Sequence, residues 1–244
     1  MATSTLTILF LGFILGLKHA VEADHIAAVS TIVTDRRSLW GSALVGGVWG
    51  LGHTFALLTV GIFVLLLDFQ VTERVETVLE MGVGVMLAFL GLGVLLKILR
   101  GGTLHLHQHK HGGRPHVHPH LHDHSHGNED AEQQTHHGLS LSPRPLIIGL
   151  VHGLAGSAGL MLLMLPTIDS RSLGLLYIVI FGIGSIAGMM LMSFAIGIPL
   201  HFTAKRFDRV NVLMRGSAGL LSFVLGLWII YEKGFAESYI AGTF

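Results

Sequence analysis

Six apolar stretches, at residues 6–33, 41–67, 77–99, 144–166, 172–199 and 210–231, decide what this 244-residue chain can become. A helix crosses hydrocarbon with about 20 mostly apolar residues, and only helices and closed barrels satisfy their own backbone polar groups there. The chain is therefore expected to be an all-α polytopic membrane protein with about six transmembrane helices. Its composition agrees, since 12% of residues are charged where a soluble domain carries about 25%. The opening Met-Ala-Thr-Ser-Thr has no basic residue, and apolar sequence resumes after His25, so the first stretch reads as a retained helix rather than a cleaved signal. Cysteine is absent, which leaves nitrogen, oxygen and thioether as donors for any metal.

Basic residues divide unevenly between the connections. One side collects Arg36, Arg37, Lys97, Arg100, Lys110, Arg114, Arg144, Lys205, Arg206 and Arg209; the other has Arg74, Arg171 and Lys233. Because Lys and Arg accumulate in cytoplasmic loops, the expected location is the plasma (inner) membrane, multi-pass, with both termini outside. Formal net charge is zero, so nothing points to a nucleic-acid partner.

The chain also echoes itself. Gly16-Leu17-Lys18-His19-Ala20 has a counterpart in Gly149-Leu150-Val151-His152-Gly153, and the two glycines of Gly52–Ile62 recur at the same separation in Gly188–Ile198. Two halves, 1–100 and 144–244, would each hold three spans. An odd number per half forces opposite orientations, the plan of inverted repeats with a substrate site between them.

Residues 101–143 have different chemistry. They hold His105, His107, His109, His111, His116, His118, His120, His122, His124, His126, His136 and His137, twelve of the seventeen histidines. Such a tract cannot bury a core and is expected to be a disordered, cytoplasmic, auxiliary metal-binding loop. A pH-responsive linker is the plainer alternative.

The most costly residues lie inside the first span, in His19-Ala20-Val21-Glu22-Ala23-Asp24-His25. An ionisable side chain at the bilayer centre costs about 2.5–3.5 kcal/mol even on insertion scales, so a group that these residues hold is expected. At about 100° per residue, His19, Glu22 and His25 share one helical face while Asp24 falls well off it. Either the helix unwinds here or Asp24 accepts a proton from an imidazole on a neighbouring span, with His53 the obvious neighbour in a glycine-rich stretch. Glu22 has a second reading as the partner of Lys18 one turn earlier. His152, with Ser157 nearby, reads first as a helix-to-helix hydrogen bond and second as a contact from the other half. Imidazole with carboxylate suits nickel, cobalt, zinc and copper(II) rather than calcium or magnesium.

His19-x4-Asp24-His25, in Gly-Leu-Lys-His-Ala-Val-Glu-Ala-Asp-His-Ile-Ala-Ala-Val, resembles the signature of the NiCoT nickel/cobalt transporters, within the wider NicO group that includes short urease-accessory-type permeases. Gly52-His53-Thr54 resembles the second motif of that family, and Leu150–Gly159 the matching segment of the short permeases. Longer members carry the signature in the second of eight spans; here it is in the first, and their acidic, threonine-containing motif in the second half is absent. The resemblance implies a secondary transporter of Ni²⁺ or Co²⁺, with His19, Asp24 and His25 as the selective site and His53 as partner. Import is the direction that the Ala-Asp-His-Ile context implies; efflux, with the loop collecting metal, is the alternative. The partners expected are the dication, the bilayer and a cytoplasmic metallochaperone. No resident cofactor is expected, the metal being cargo, and the absence of a GxxxxGK[ST] motif leaves ion gradients, the membrane potential or a separate subunit as the driving force. An enzyme is not expected, because His-Glu-x-x-His is missing; an intramembrane metalloenzyme or a metal-sensing accessory protein is the reading from another class.

Overall fold

The computed structural model describes residues 2–34, 36, 38–67, 72–100, 105–111, 114–120, 143–155, 168, 170–204 and 206–236. Its helices are α1 (Ala2–His19), α2 (Ala23–Val33), α3 (Leu39–Leu67), α4 (Glu73–Leu99), α5 (Arg144–Ala155), α6 (Arg171–Ala204) and α7 (Asp208–Tyr231), the last followed by a π turn, Glu232–Ala236. Among the described residues, four helices are long and apolar enough to cross a membrane: α3, α4, α6, and α7 extended to Phe235. Thr5–His19 and Ala23–Val33 qualify together as a broken fifth span, bent by 57°.

One expectation about the spans changes: the first is not one continuous helix. The fourth is described only over α5, twelve residues. Residues 156–166, which the sequence assigns to that span, lie outside the described residues.

The break has a visible backbone cause. At the end of α1, Val21 N–H donates to the Lys18 carbonyl at 3.0 Å and Glu22 N–H to the His19 carbonyl at 3.1 Å, so the ladder tightens to a three-residue step. Glu22 then turns extended (φ −67°, ψ 153°) and its carbonyl starts the next helix by accepting from Ile26 N–H. Asp24 falls in the first turn of α2, where a carboxylate complements the unpaired N–H groups and positive helix end.

Glycines set how closely the other helices approach. A Cβ on Gly16 would strike the backbone of Phe181, and one on Gly184 that of Phe13, so α1 lies against α6. A Cβ on Gly149 would strike the backbone of Trp49, and one on Gly52 that of Leu146, so α5 lies against α3 in the same way. Contact order makes α1 parallel to α6 (Gly12 at Tyr177, Gly188 at Ala20) and α5 parallel to α3 (Gly153 at Ala56). Helices α3 and α6 are antiparallel, with Gly50 at Ile186 and Gly182 at Thr54; so are α4 and α7, with Gly84 at Gly226 and Gly91 at Gly219. Small residues at such crossings let helices pack where lipid gives no hydrophobic drive. Trp49, Leu57, Leu87, Tyr177, Phe181 and Met189 fill the interior, while Phe10, Phe55, Phe89, Leu191 and Leu213 face outward.

Two described stretches within residues 101–143 also depart from expectation. His105–His111 and Arg114–His120 form an antiparallel hairpin, whose register pairs His105 with His120, His107 with His118 and His109 with His116. The expectation of disorder weighed composition and passed over the alternation His-x-His-x, which has the two-residue period of a strand. His122, His124, His126, His136 and His137 lie outside the described residues.

Candidate metal centre

The helix break places His19 at the last position of α1 and His25 in the first turn of α2. His53 comes from the middle of α3 and His152 from α5, brought near each other by the glycine contacts between those helices. All four imidazoles are buried, none more than 1% exposed. Their rings crowd around His25, with centroids 4.2 Å away for His19, 4.3 Å for His152 and 5.1 Å for His53.

The polar contacts make two groups, which meet through the rings packed on His25. His19 Nε2 lies 3.1 Å from His53 Nε2, and His19 Nδ1 lies 2.9 Å from Glu22 Oε2. Asp24 Oδ1 accepts from His25 N–H at 2.8 Å and sits 2.9 Å from His25 Nδ1, while Oδ2 is 3.0 Å from His152 Nε2. One carboxylate thus orients two imidazoles from two helices, which fixes ring and tautomer as such carboxylates do around metal sites. His25 Nε2 and His152 Nδ1 have no hydrogen-bond partner among the described residues. A buried imidazole nitrogen without a partner is costly, and a lone pair held that way is what a cation would use.

Donor atoms from His19, His25 and His53 lie within 4.8 Å of one another, and so do donor atoms from Asp24, His25 and His152. His25 belongs to both sets. Metal–nitrogen bonds of about 2.0–2.1 Å keep the donors on one ion no more than about 4.2 Å apart, so either set closes on an ion with small side-chain movements. The carboxylates are the accessible rim, Glu22 at 35% and Asp24 at 28% side-chain exposure.

The structure therefore brings together His19, Glu22, Asp24, His25 and His53, and adds His152. One detail differs from the sequence reading: Asp24 meets His152 rather than His53. The helix does unwind here, as one of the two alternatives for Asp24 had it. Glu22 faces His19, as the shared helical face predicts, rather than Lys18. Ser157 lies outside the described residues, and the side chains of the loop histidines are not described.

Trp49 is a neighbour that motif reading passed over. It is fully buried one turn before His53, with its ring 5.3 Å from His25 and 5.5 Å from His152. The four-residue spacing between Trp49 and His53 was the available signal, since it puts both on one face of α3.

Comparison with known proteins gives a full-length relative. Over 237 residues the chain is 36% identical to the urease accessory protein UreH of Bacillus sp. (strain TB-90), an alignment covering 95% of this chain and 94% of that one. It is also 25% and 24% identical to two proteins of Arabidopsis thaliana, Chloroplast protein FOR GROWTH AND FERTILITY 2 and 1. The chain spans 59% and 61% of their lengths. No family model and no solved structure matches. An alignment of that identity across nearly the whole of both chains means that this protein belongs to the family of the urease accessory protein UreH.

Proposed function

We propose that the protein is a secondary transporter of Ni²⁺ or Co²⁺ that takes the ion at the His19–Asp24–His25–His53–His152 cluster and moves it inward across the plasma membrane. The observation that carries this reading is a histidine-rich donor cluster, buried at a helix break among membrane-length helices, in which His25 Nε2 and His152 Nδ1 lack hydrogen-bond partners among the described residues. Buried nitrogen donors with one carboxylate favour a borderline transition-metal dication over calcium or magnesium. A relative named as an accessory of urease, a nickel enzyme, points to the same cargo.

In this reading the chain has six spans in two inverted halves, flanking the histidine-rich segment. Paired contacts support it: Gly16 on Phe181 answers Gly149 on Trp49, Gly184 on Phe13 answers Gly52 on Leu146, and the Gly84–Gly226 pair answers Gly219–Gly91. Exchanging the halves turns each contact into its partner. The correspondence sets Gly52 against Gly184, one turn before the Gly188 that the sequence repeat suggests, and sets His53 against Ser185. The second half thus keeps His152 as the counterpart of His19 and has lost the counterpart of His53.

Broken helices at the interface of inverted repeats are where many carriers hold their ions. The dication sheds water onto imidazoles at the cluster, Asp24 and Glu22 offset its charge, and rocking of the halves exposes it to the other side. An inward step of a divalent ion gains about 4.6 kcal/mol per 100 mV of membrane potential. The cytoplasmic loop receives the ion and passes it to a metallochaperone.

Nickel titration of the purified protein tests the site, in a background where the histidines of 105–137 are replaced by asparagine so that the loop cannot contribute. One tight ion is expected, with affinity lowered about 10–100-fold by Asp24→Asn. Stoichiometric binding unaffected by Asp24→Asn and His25→Ala would refute the assignment.

A further inference from the structure

The buried imidazoles are not one ring of equal neighbours. Among the described residues, the donors that come within 4.8 Å of one another form two triplets, His19–His25–His53 and Asp24–His25–His152, and His25 alone is in both. The polar contacts divide along the same line. His19 meets His53 at 3.1 Å and Glu22 at 2.9 Å, whereas Asp24 meets His25 at 2.9 Å and His152 at 3.0 Å. Each triplet thus has its own part-exposed carboxylate, Glu22 beside His19 and Asp24 beside His152.

The triplets also differ in the helices that carry them. His19, His25 and His53 come from α1, α2 and α3, all before the histidine-rich segment, while His152 comes from α5 beyond it. The first triplet therefore sits inside one of the two proposed halves, and the second is closed only by the other half. Rocking of the halves makes and breaks the second triplet and leaves the first together.

Valence and charge limit the occupancy to one ion. A neutral imidazole has one lone pair to give, its other nitrogen carrying hydrogen, so His25 serves a single ion at a time. Dications on both sides of that ring would also repel strongly, because the site is withdrawn from water.

We propose that the two triplets are successive stations for one cargo dication, which keeps His25 as a ligand while it exchanges His19 and His53 for Asp24 and His152. Either donor set suits a borderline transition-metal ion. A path of alternating sites also meets the requirement of passage, that an ion be held firmly enough to enter and loosely enough to leave. The all-imidazole station is fully buried, and the station with Asp24 is the wetter one. The hand-off rests on the transport reading, to which it adds an order of ligands.

The test uses the full chain with the histidines of 105–137 replaced by asparagine, and compares two double variants that each remove two imidazoles. His19→Ala with His53→Ala empties one triplet and spares the other; His53→Ala with His152→Ala damages both. Nickel titration in detergent gives stoichiometry and affinity, and ⁶³Ni²⁺ flux into proteoliposomes gives passage. The expected result is one ion per parent chain, an affinity at least about tenfold higher in the first double variant than in the second, and flux lost in both. Equal affinities in the two variants would mean a single shared site, a second ion in the parent would mean independent sites, and parental flux in the first variant would mean that no hand-off is needed. Each of these overturns the proposal and leaves a nickel-binding carrier standing, whereas a parent that neither binds nor carries nickel removes the transport reading as well. Glutamine at the same positions replaces alanine where an alanine pair fails to fold.

Discussion

His25 is the residue on which the cluster turns, because it belongs to both donor sets and its Nδ1 is held by Asp24. Removing it breaks both sets, whereas removing His53 leaves Asp24, His25 and His152 intact. His25→Ala is therefore expected to lower nickel affinity by more than His53→Ala, with Asp24→Asn between them, as isothermal titration of the three variants measures. Equal losses for His25→Ala and His53→Ala would mean that the second set holds nothing. At this scale the sequence was informative where cost was visible: carboxylates and imidazoles inside an apolar span mark themselves. It was less informative about His152 and Trp49, which look like ordinary helix-packing residues until α5 is laid against α3. Nothing local to Gly149-Leu150-Val151-His152 says which helix it will face.

At the scale of elements, the long spans were legible because hydrophobic length is a one-dimensional property, and α3, α4, α6 and α7 lie where it predicts. The bend between α1 and α2 was legible only as one of two alternatives for Asp24, since it depends on Glu22 adopting an extended backbone in a sequence with neither proline nor glycine between Leu17 and Asp24. The hairpin at 105–120 was missed for a different reason, composition having been given more weight than period. The glycine crossings yield a contrast. A side chain at Gly16 meets the backbone of Phe181, which cannot yield, whereas one at Gly82 meets nothing within 4 Å. Gly16→Val and Gly149→Val are each expected to destabilise by about 1–3 kcal/mol or more. Gly82→Ala is expected to stabilise by about 0.5–1 kcal/mol, because it removes a helix-interior glycine. Thermal unfolding followed by size exclusion in detergent separates these outcomes, and a neutral Gly149→Val would contradict the close α3–α5 approach that joins His53 to His152.

For the whole molecule, the proposed transport through an imidazole cluster would make cargo and protons competitors. An imidazole must be neutral to ligate, so metal binding falls as acid protonates it. Ion uptake into proteoliposomes is accordingly expected to decline as the external medium is acidified; a rate that rises on acidification would argue against imidazole as the receiving group. The inverted plan is part of the proposal: the repeat of Gly-Leu-x-His suggests it, while the glycine contacts favour a register one turn away in the second pair of helices, because low-complexity apolar sequence offers several glycine matches.

The most direct test of the central claim is the flux of ⁶³Ni²⁺ into proteoliposomes under an inside-negative potential, parent against the triple variant His19→Ala, Asp24→Asn, His25→Ala. Rapid, saturable uptake by the parent, inhibited by Co²⁺ and reduced to the rate of empty vesicles in the variant, is the predicted result. Uptake by a correctly folded variant at the parental rate would contradict it.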